Sequence, residues 1–319
     1  MYWEAVLSCD DFIREGVIEL RKKIILDTDI GSDLDDSVCL AYLLSHPNCE
    51  LLGITTVSGE PVKRAMLASA ICKVAKKNIP IYPGAEKPLL AKQRQPFATQ
   101  AKALVNWDHD KEFPQCQAIS FLRNTIRQHP GEITLLAIGP LTNIALLFTI
   151  DSEIPKLLKE LVLMCGIFTN QLAGVGPVEW NAICDPHATA IVYKAPVKIF
   201  RSIGLDVTWQ VTMDKDEIIK NFKADVLKPV LSFAGVGFEN RDKITFHDPL
   251  AAAVIFEDSI CEFETGKVDV ELTSDRLQGL TYWIPDNVNG IHKVALKVDK
   301  DKFFKHYFSV VNNIDEFNG

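Results

Sequence analysis

Residues 24–26 of this chain, Ile24, Ile25 and Leu26, form a short apolar run. Five carboxylates follow within ten residues: Asp27, Asp29, Asp33, Asp35 and Asp36. The run reads as a buried parallel strand. After Asp36 come Ser37, Val38, Cys39, Leu40, Ala41, Tyr42, Leu43 and Leu44, apolar nearly all round, which predicts a buried helix. Asp35 and Asp36 fall at its N-cap and first turn, where the helix dipole favours negative charge. The acids therefore gather at the carboxyl end of a strand and face the start of a helix, the crevice in which open α/β sheets bind ligands. Like charges this close repel, and a bound cation is the simplest way to hold them ionised together. Hard oxygen donors of this kind suit Ca2+ or Mg2+.

Taken one at a time, the acids have plainer roles: Asp35 as an N-cap, Asp33 as a turn residue. An EF-hand does not fit. Gly31 and Ser32 stand where that loop needs an acid and then a glycine, Val38 stands where it needs Glu, and a strand precedes it. A phosphatase of the haloacid-dehalogenase type, with Asp27 as nucleophile and Asp29 as acid/base, also follows an apolar strand, but it wants Thr or Val where Gly31 stands. It stays open as an alternative.

At 319 residues the chain has room for one large α/β domain or two smaller ones. A net charge of −8 argues against nucleic acid as a partner. No apolar run approaches the length of a membrane span. The early acids Glu4, Asp10 and Asp11 do not suit a signal peptide. None of the eight cysteines are spaced as Cys-x-x-Cys, and most sit in apolar runs. They read as small buried hydrophobes in a reducing compartment, so the expected location is cytoplasmic. Residues 1–22 read as an N-terminal extension, with a short helix within 1–20, and 23–319 as a single domain.

Along that domain strands and helices alternate. Strands are expected at 50–57, 79–82, 133–138, 161–164 and 197–203; helices at 61–76, 115–128, from 141, and from Asp185-Pro186 to about 193. This predicts an α/β fold, a Rossmann-like open, mostly parallel sheet with helices on both faces. Additional C-terminal helices are expected at 214–223, 225–235 and 248–256, short strands near 267–272, 279–284 and 293–298, and a last helix from Lys300. Residues 85–114 form a long irregular stretch, which marks a lid, a binding loop or a mobile segment.

Three further clusters carry chemistry. His247-Asp248-Pro249 opens a helix, with Asp248 suited to a cap and Pro249 to the first helical position. His directly before an acid at a helix mouth also suits a metal ligand beside a proton donor. Glu179 and Asn181, two apart after the 161–164 strand, can hydrogen-bond neighbouring sugar hydroxyls. The Gly139-Pro140-Leu141-Thr142-Asn143 corner can offer a backbone carbonyl to a cation.

Taken in order, these motifs resemble the nucleoside hydrolase family, in its inosine-uridine preferring type. The match comprises the Asp-Thr-Asp-x-Gly type run at 27–36, Ile54-Thr55-Thr56-Val57-Ser58-Gly59, Ala137 through Asn143, Val162-Leu163-Met164, Glu179-Trp180-Asn181, Gly204-Leu205-Asp206-Val207-Thr208, and His247-Asp248. It runs from about residue 23 to 312. The resemblance implies a Ca2+-dependent enzyme that hydrolyses the N-glycosidic bond of ribonucleosides, and a homodimer or homotetramer. By position, Asp29 would bind Ca2+ and act as general base, Asp36 and Asp248 would be carboxylate ligands, and Thr142 would give its carbonyl. Asp35, Glu179 and Asn181 would hold the ribose hydroxyls, Met164 would line the sugar pocket, and His247 would protonate the leaving base. Glu60 stands where many members have an Asn beside the sugar, and Ser32-Asp33 looks like a two-residue insertion. Trp107, Trp180, Trp209, Tyr282 and Trp283 are aromatic candidates for stacking on the base. A non-catalytic ribose- or Ca2+-binding protein is the third reading; it requires Asp29 or His247 to lie out of reach of the ligand.

Overall fold

The computed structural model describes residues 21–169, 174–236, 242–286 and 288–312. The helix expected within 1–20 lies outside the described residues. The strands are β1 Lys22–Thr28, β2 Cys49–Thr56, β3 Ile81–Pro83, β4 Ile133–Ala137, β5 Glu160–Met164, β6 Phe200–Ile203, β7 Thr212–Asp214, β8 Lys243–Thr245, β9 Cys261–Val270, β10 Thr281–Pro285 and β11 His292–Val298. Nine of them form one sheet in the order β10-β9-β11-β6-β5-β4-β1-β2-β3, and β7 and β8 form a separate antiparallel ribbon. From β11 to β3 neighbouring strands run parallel; β9 runs antiparallel to both β11 and β10.

Strand alternation sorts the core into two layers. Ile24, Leu26, Leu136, Val162 and Met164 join one buried cluster, with the Asp35–Ser45 and His247–Phe256 helices. Ile25, Leu135, Ala137, Leu161 and Leu163 join the other, with the Ala118–Gln128 and Thr142–Ile150 helices. Burial on both faces explains why these strands read as continuous apolar runs.

After β1 the chain steps outward to β2 and β3, then returns to place β4 on the other side of β1. The order therefore reverses between β1 and β4. A crevice opens outside the carboxyl ends of strands at such a point, and the aspartates stand there.

The expected alternation and the Rossmann-like architecture are both present. Of the C-terminal strands, β9 is longer than expected, at ten residues, and the three extend the main sheet because β11 pairs parallel with β6. The β7–β8 ribbon was not expected; three-residue strands carry too little periodicity to be seen. The stretch 85–114 contains a 3₁₀ helix, Thr99–Asn106. Among the described residues, no helix is long and apolar enough to cross a membrane. The described cysteines are free, and all but Cys116 are buried.

Candidate active site

The aspartate loop is built from within. Thr28 Oγ1, at the end of β1, donates to Asp36 Oδ1 (2.5 Å) and accepts from Ile30 N (3.1 Å). Beneath the loop lies Arg64, fully buried at 0 % exposure. Its Nη1 donates to the carbonyls of Asp29 and Ile30 and to Ser32 Oγ, and its Nε to the carbonyl of Gly59. The β4 corner comes so close that a Cβ on Gly139 would stand 2.8 Å from Asp29 Oδ1. Only glycine fits there.

Asp35 and Asp36 open the Asp35–Ser45 helix, and Asp248 lies in the first turn of His247–Phe256. Carboxylate oxygens of Asp35, Asp36 and Asp248 all lie within 4.8 Å of one another, and all three residues are buried. Burial is the largest influence on each and drives its pKa well above the usual aspartate value. For Asp36 the charges of Asp29 and Asp35 add to this, and for Asp248 those of Asp35 and Asp36. Asp35 is raised by burial and then by Asp33. Asp29 is also raised by burial, against the opposing pull of Arg64 and of the Gln95 amide. Three buried carboxylates converging on one point, each destabilised by burial and by neighbouring acids, are a donor set that fits a hard divalent cation.

These acids form one end of a cavity of about 720 Å³. Asp29, Asp35, Asp36 and Asp248 line it together with Met164, Glu179, Asn181 and His247, as do Asp33, Ile138, Trp180 and Trp209. Glu179 caps the Trp180–Cys184 helix: its Oε1 accepts from Asn181 N (2.7 Å), and its Oε2 from Ala182 N (3.0 Å) and Gly166 N (3.2 Å). Burial raises its pKa against these bonds. Asn181 Nδ2 donates to the carbonyls of Ile138 (2.9 Å) and Met164 (3.1 Å), which joins the ends of β4 and β5. His247 Nδ1 is 2.7 Å from Thr208 Oγ1, and its ring lies 6.0 Å from that of Trp209. Arg94, Gln95, Pro96 and Phe97, from the 85–98 stretch, also line the cavity.

Three expectations need correction. Asp27 does not share the cavity with Asp29. Alternation along β1 sends it to the same face as Ile25, where its Oδ2 accepts from Thr55 Oγ1 (2.5 Å) and Asn143 Nδ2 (2.7 Å). It is 0 % exposed, and burial pushes its pKa to about 7. The strand ends at Thr28, so the alternation does not carry on to Asp29. A sealed Asp27 cannot attack a phosphoester, and the phosphatase reading falls. Glu60 does not line the cavity either. Its Oε1 pairs with Lys63 (2.6 Å) and its Oε2 accepts from Ala98 N (2.9 Å), so it fastens the 85–98 stretch instead. Thr142 is likewise outside; its hydroxyl donates to Asp185 Oδ2 (2.7 Å), and the corner residue that reaches the cavity is Ile138. The remaining candidates come together. With Asp29 and His247 both on the cavity wall, the condition for a mere binder is not met.

Sequence reasoning missed Gln95, whose Nε2 donates to Asp29 Oδ2 (2.5 Å), and Arg64. Arg64 carried a signal: it precedes Leu67, Ala68 and Ile71 by three, four and seven positions, so it shares their buried helix face. Gln95 had none, because a loop has no period.

A mostly parallel sheet with an acid-lined cavity at its switch point is the arrangement of a ligand-binding α/β protein, and its acids could hold a metal ion. Residues 24–305 match the family described as inosine-uridine preferring nucleoside hydrolase, and the chain belongs to that family. It is 30 % identical to an inosine-uridine preferring nucleoside hydrolase of Crithidia fasciculata over 89 % of this chain and 96 % of that one. To uridine nucleosidase 1 of Arabidopsis thaliana it is 28 % identical, over 83 % of each chain. The fold superposes on a purine-preferring ribonucleoside hydrolase from Gardnerella vaginalis with a TM-score of 0.78 at 22 % identity, covering 92 % of this chain and 99 % of that one.

Proposed function

We propose that the chain hydrolyses the N-glycosidic bond of ribonucleosides to ribose and free base, in a site that holds Ca2+. The observation that carries the reading is the convergence of Asp35 and Asp36 with Asp248, from distant parts of the chain, in a cavity that Asp29 also lines. Asp36 and Asp248, with Asp29 from the same cavity, would hold the cation, and the Asp35 carboxylate lies within reach of it. When bound, the cation supplies the positive charge that keeps these acids ionised together, and it acidifies the attacking water.

The other steps belong to side chains. Asp29 takes the proton of the attacking water at its carboxylate. Departure of the base leaves positive charge on the ribose, and the surrounding carboxylates stabilise that charge without having to reorganise. Asp35, Glu179 and Asn181 hold the ribose hydroxyls, and Met164 packs against the sugar. His247, oriented by Thr208, passes a proton to the departing base, a contribution of the kind typically worth ~10²–10⁴-fold. Trp209 and Trp180 give the base aromatic surface.

The test is a panel of inosine, guanosine, adenosine, uridine and cytidine incubated with the Ca2+-loaded protein, reading free base and reducing sugar. Release of base from at least one nucleoside, abolished by a chelator, is expected. No release from any of the five would overturn the reading.

A further inference from the structure

Gln95 lies in a loop, is buried, and makes two side-chain contacts that no role above uses. Its Nε2 donates to Asp29 Oδ2 (2.5 Å) and its Oε1 accepts from Trp180 Nε1 (2.7 Å). An amide placed between two partners cannot be flipped without losing both, because the indole only donates and the carboxylate only accepts. The indole therefore fixes which end of Gln95 faces Asp29.

The backbone around Gln95 is held independently of its side chain. Its carbonyl accepts from Gly59 N (3.2 Å) and Ser58 Oγ (3.3 Å), and its N–H donates to Gln93 Oε1 (2.8 Å). The two segments are so close that a Cβ on Gly59 would stand 2.4 Å from the Pro96 carbonyl. On either side, Leu89 N donates to Asp185 Oδ2 and Ala98 N to Glu60 Oε2. The loop is thus pinned in place, and the amide is delivered to Asp29 by a rigid mount. Trp180 is 50 % exposed although its N–H is engaged inward, so its ring forms part of the cavity wall.

We propose that Gln95 is a positioning residue: it locks the Asp29 carboxylate in the orientation from which it meets the attacking water, and the Trp180 N–H locks Gln95. This rests on the hydrolase reading, with Asp29 as the base. A carboxylate free to rotate at its terminal bond is aimed correctly only part of the time. Small misplacements of reacting groups lower the rate while leaving substrate binding almost intact.

The experiment compares unmodified protein with Gln95→Ala, Gln95→Met, Trp180→Phe and the Gln95→Ala/Trp180→Phe double variant. Gln95→Met keeps length and bulk, so it serves if the smaller residue unsettles the loop. Trp180→Phe keeps an aromatic wall and removes only the donor. Both Gln95 variants should lower kcat by about ten- to a hundredfold with KM little changed. Calorimetric Ca2+ binding should persist at one site per chain. Trp180→Phe should lower kcat less, and it should add nothing on the Gln95→Ala background, since coupled residues are not additive. Wild-type kcat in both Gln95 variants, a change confined to KM, or additive losses would overturn the inference. Absence of turnover in the unmodified protein would instead remove the hydrolase reading, and this inference with it.

Discussion

The fold buries two groups of charges, one toward each end of its sheet, and one helix touches both. At the carboxyl end of the strands, Asp248 begins the His247–Phe256 helix and joins Asp35 and Asp36. Toward the other end, the carbonyl of Val254 in the same helix accepts from Arg201 Nη1. Arg201 also meets Glu160 (2.8 Å) at the start of β5, and Asp258. In the second group the buried acid, Glu160, has the arginine as a direct ion-pair partner, while Asp258 is largely exposed to solvent. The first gathers Asp29, Asp35, Asp36 and Asp248 above Arg64, whose guanidinium is engaged by backbone carbonyls and a serine hydroxyl, and burial with repulsion from neighbouring acids raises the pKa of each. A buried acid with an ion-pair partner holds elements together; a crowd of buried acids without one is a candidate site for a counter-charge. Motif searching alone does not separate the two, because both place a buried acid near an arginine.

The largest effect should come from the first group. Asp29→Asn keeps the shape but loses a proton acceptor and a charge, so turnover should fall by at least ~10²-fold. Excess Ca2+ should not restore it fully. Asp27→Asn should leave turnover per folded molecule nearly intact and lower the urea midpoint, because Asp27 contacts Thr55 and Asn143 rather than the cavity. Near-normal turnover in Asp29→Asn, with loss in Asp27→Asn, would reverse these roles.

The second group should answer in stability alone. Arg201→Met leaves Glu160 buried without its partner, and breaking a buried pair in this way costs about 3–5 kcal/mol. The urea midpoint should drop accordingly, while kcat of the surviving folded protein stays the same. A change in kcat would mean the two clusters are coupled through their shared helix.

A pH titration separates the clusters without mutation. Aspartates whose folded pKa is raised bind more protons folded than unfolded, so their contribution to stability is complete below the unfolded value of 3.8 and is lost as pH rises through the folded value, about 7 for Asp27. Calcium-free protein should therefore lose stability from Asp27 between roughly pH 4 and 7, and from the cavity aspartates, whose folded values are also raised, as pH rises above about 4. Bound Ca2+ should offset the share that comes from the cavity aspartates, so its effect on Tm should grow with pH. At a hundredfold excess over Kd the cation adds about 2.7 kcal/mol. A Ca2+ effect on Tm that is flat or shrinking over this range would contradict the account.

The smallest change expected is in Glu60→Gln. It weakens the link to Lys63, yet the amide oxygen can still accept from Ala98 N. The stability change should stay within about 1 kcal/mol, as for other partly exposed ion pairs, with kcat unaltered. A large loss of kcat would return Glu60 to the site.

The sheet was legible because strands buried on both faces leave unbroken apolar runs, and the aspartate loop because carboxylates are rarely crowded without cause. Asp248 and Asn181 could be placed beside that loop because each lies at a strand or helix end on the same edge. Asp27 and Asp29 part company because the period of two holds only within the strand, which stops at Thr28. Glu60 and Thr142 sit next to the site in sequence, yet their contacts are fixed by the 85–98 stretch and by Asp185, both distant in the chain. Gln95 reaches Asp29 across 66 positions, and no local pattern encodes such a contact.

The most direct test strips the protein with a chelator, adds Ca2+ back in steps, and follows release of free base from the best nucleoside of the panel while Ca2+ binding is measured on the same samples. Stripped protein should show no turnover, and recovery should saturate as one Ca2+ binds per chain. Turnover that survives the chelator unchanged, or a saturated cation site with no turnover of any nucleoside, would contradict the proposed function.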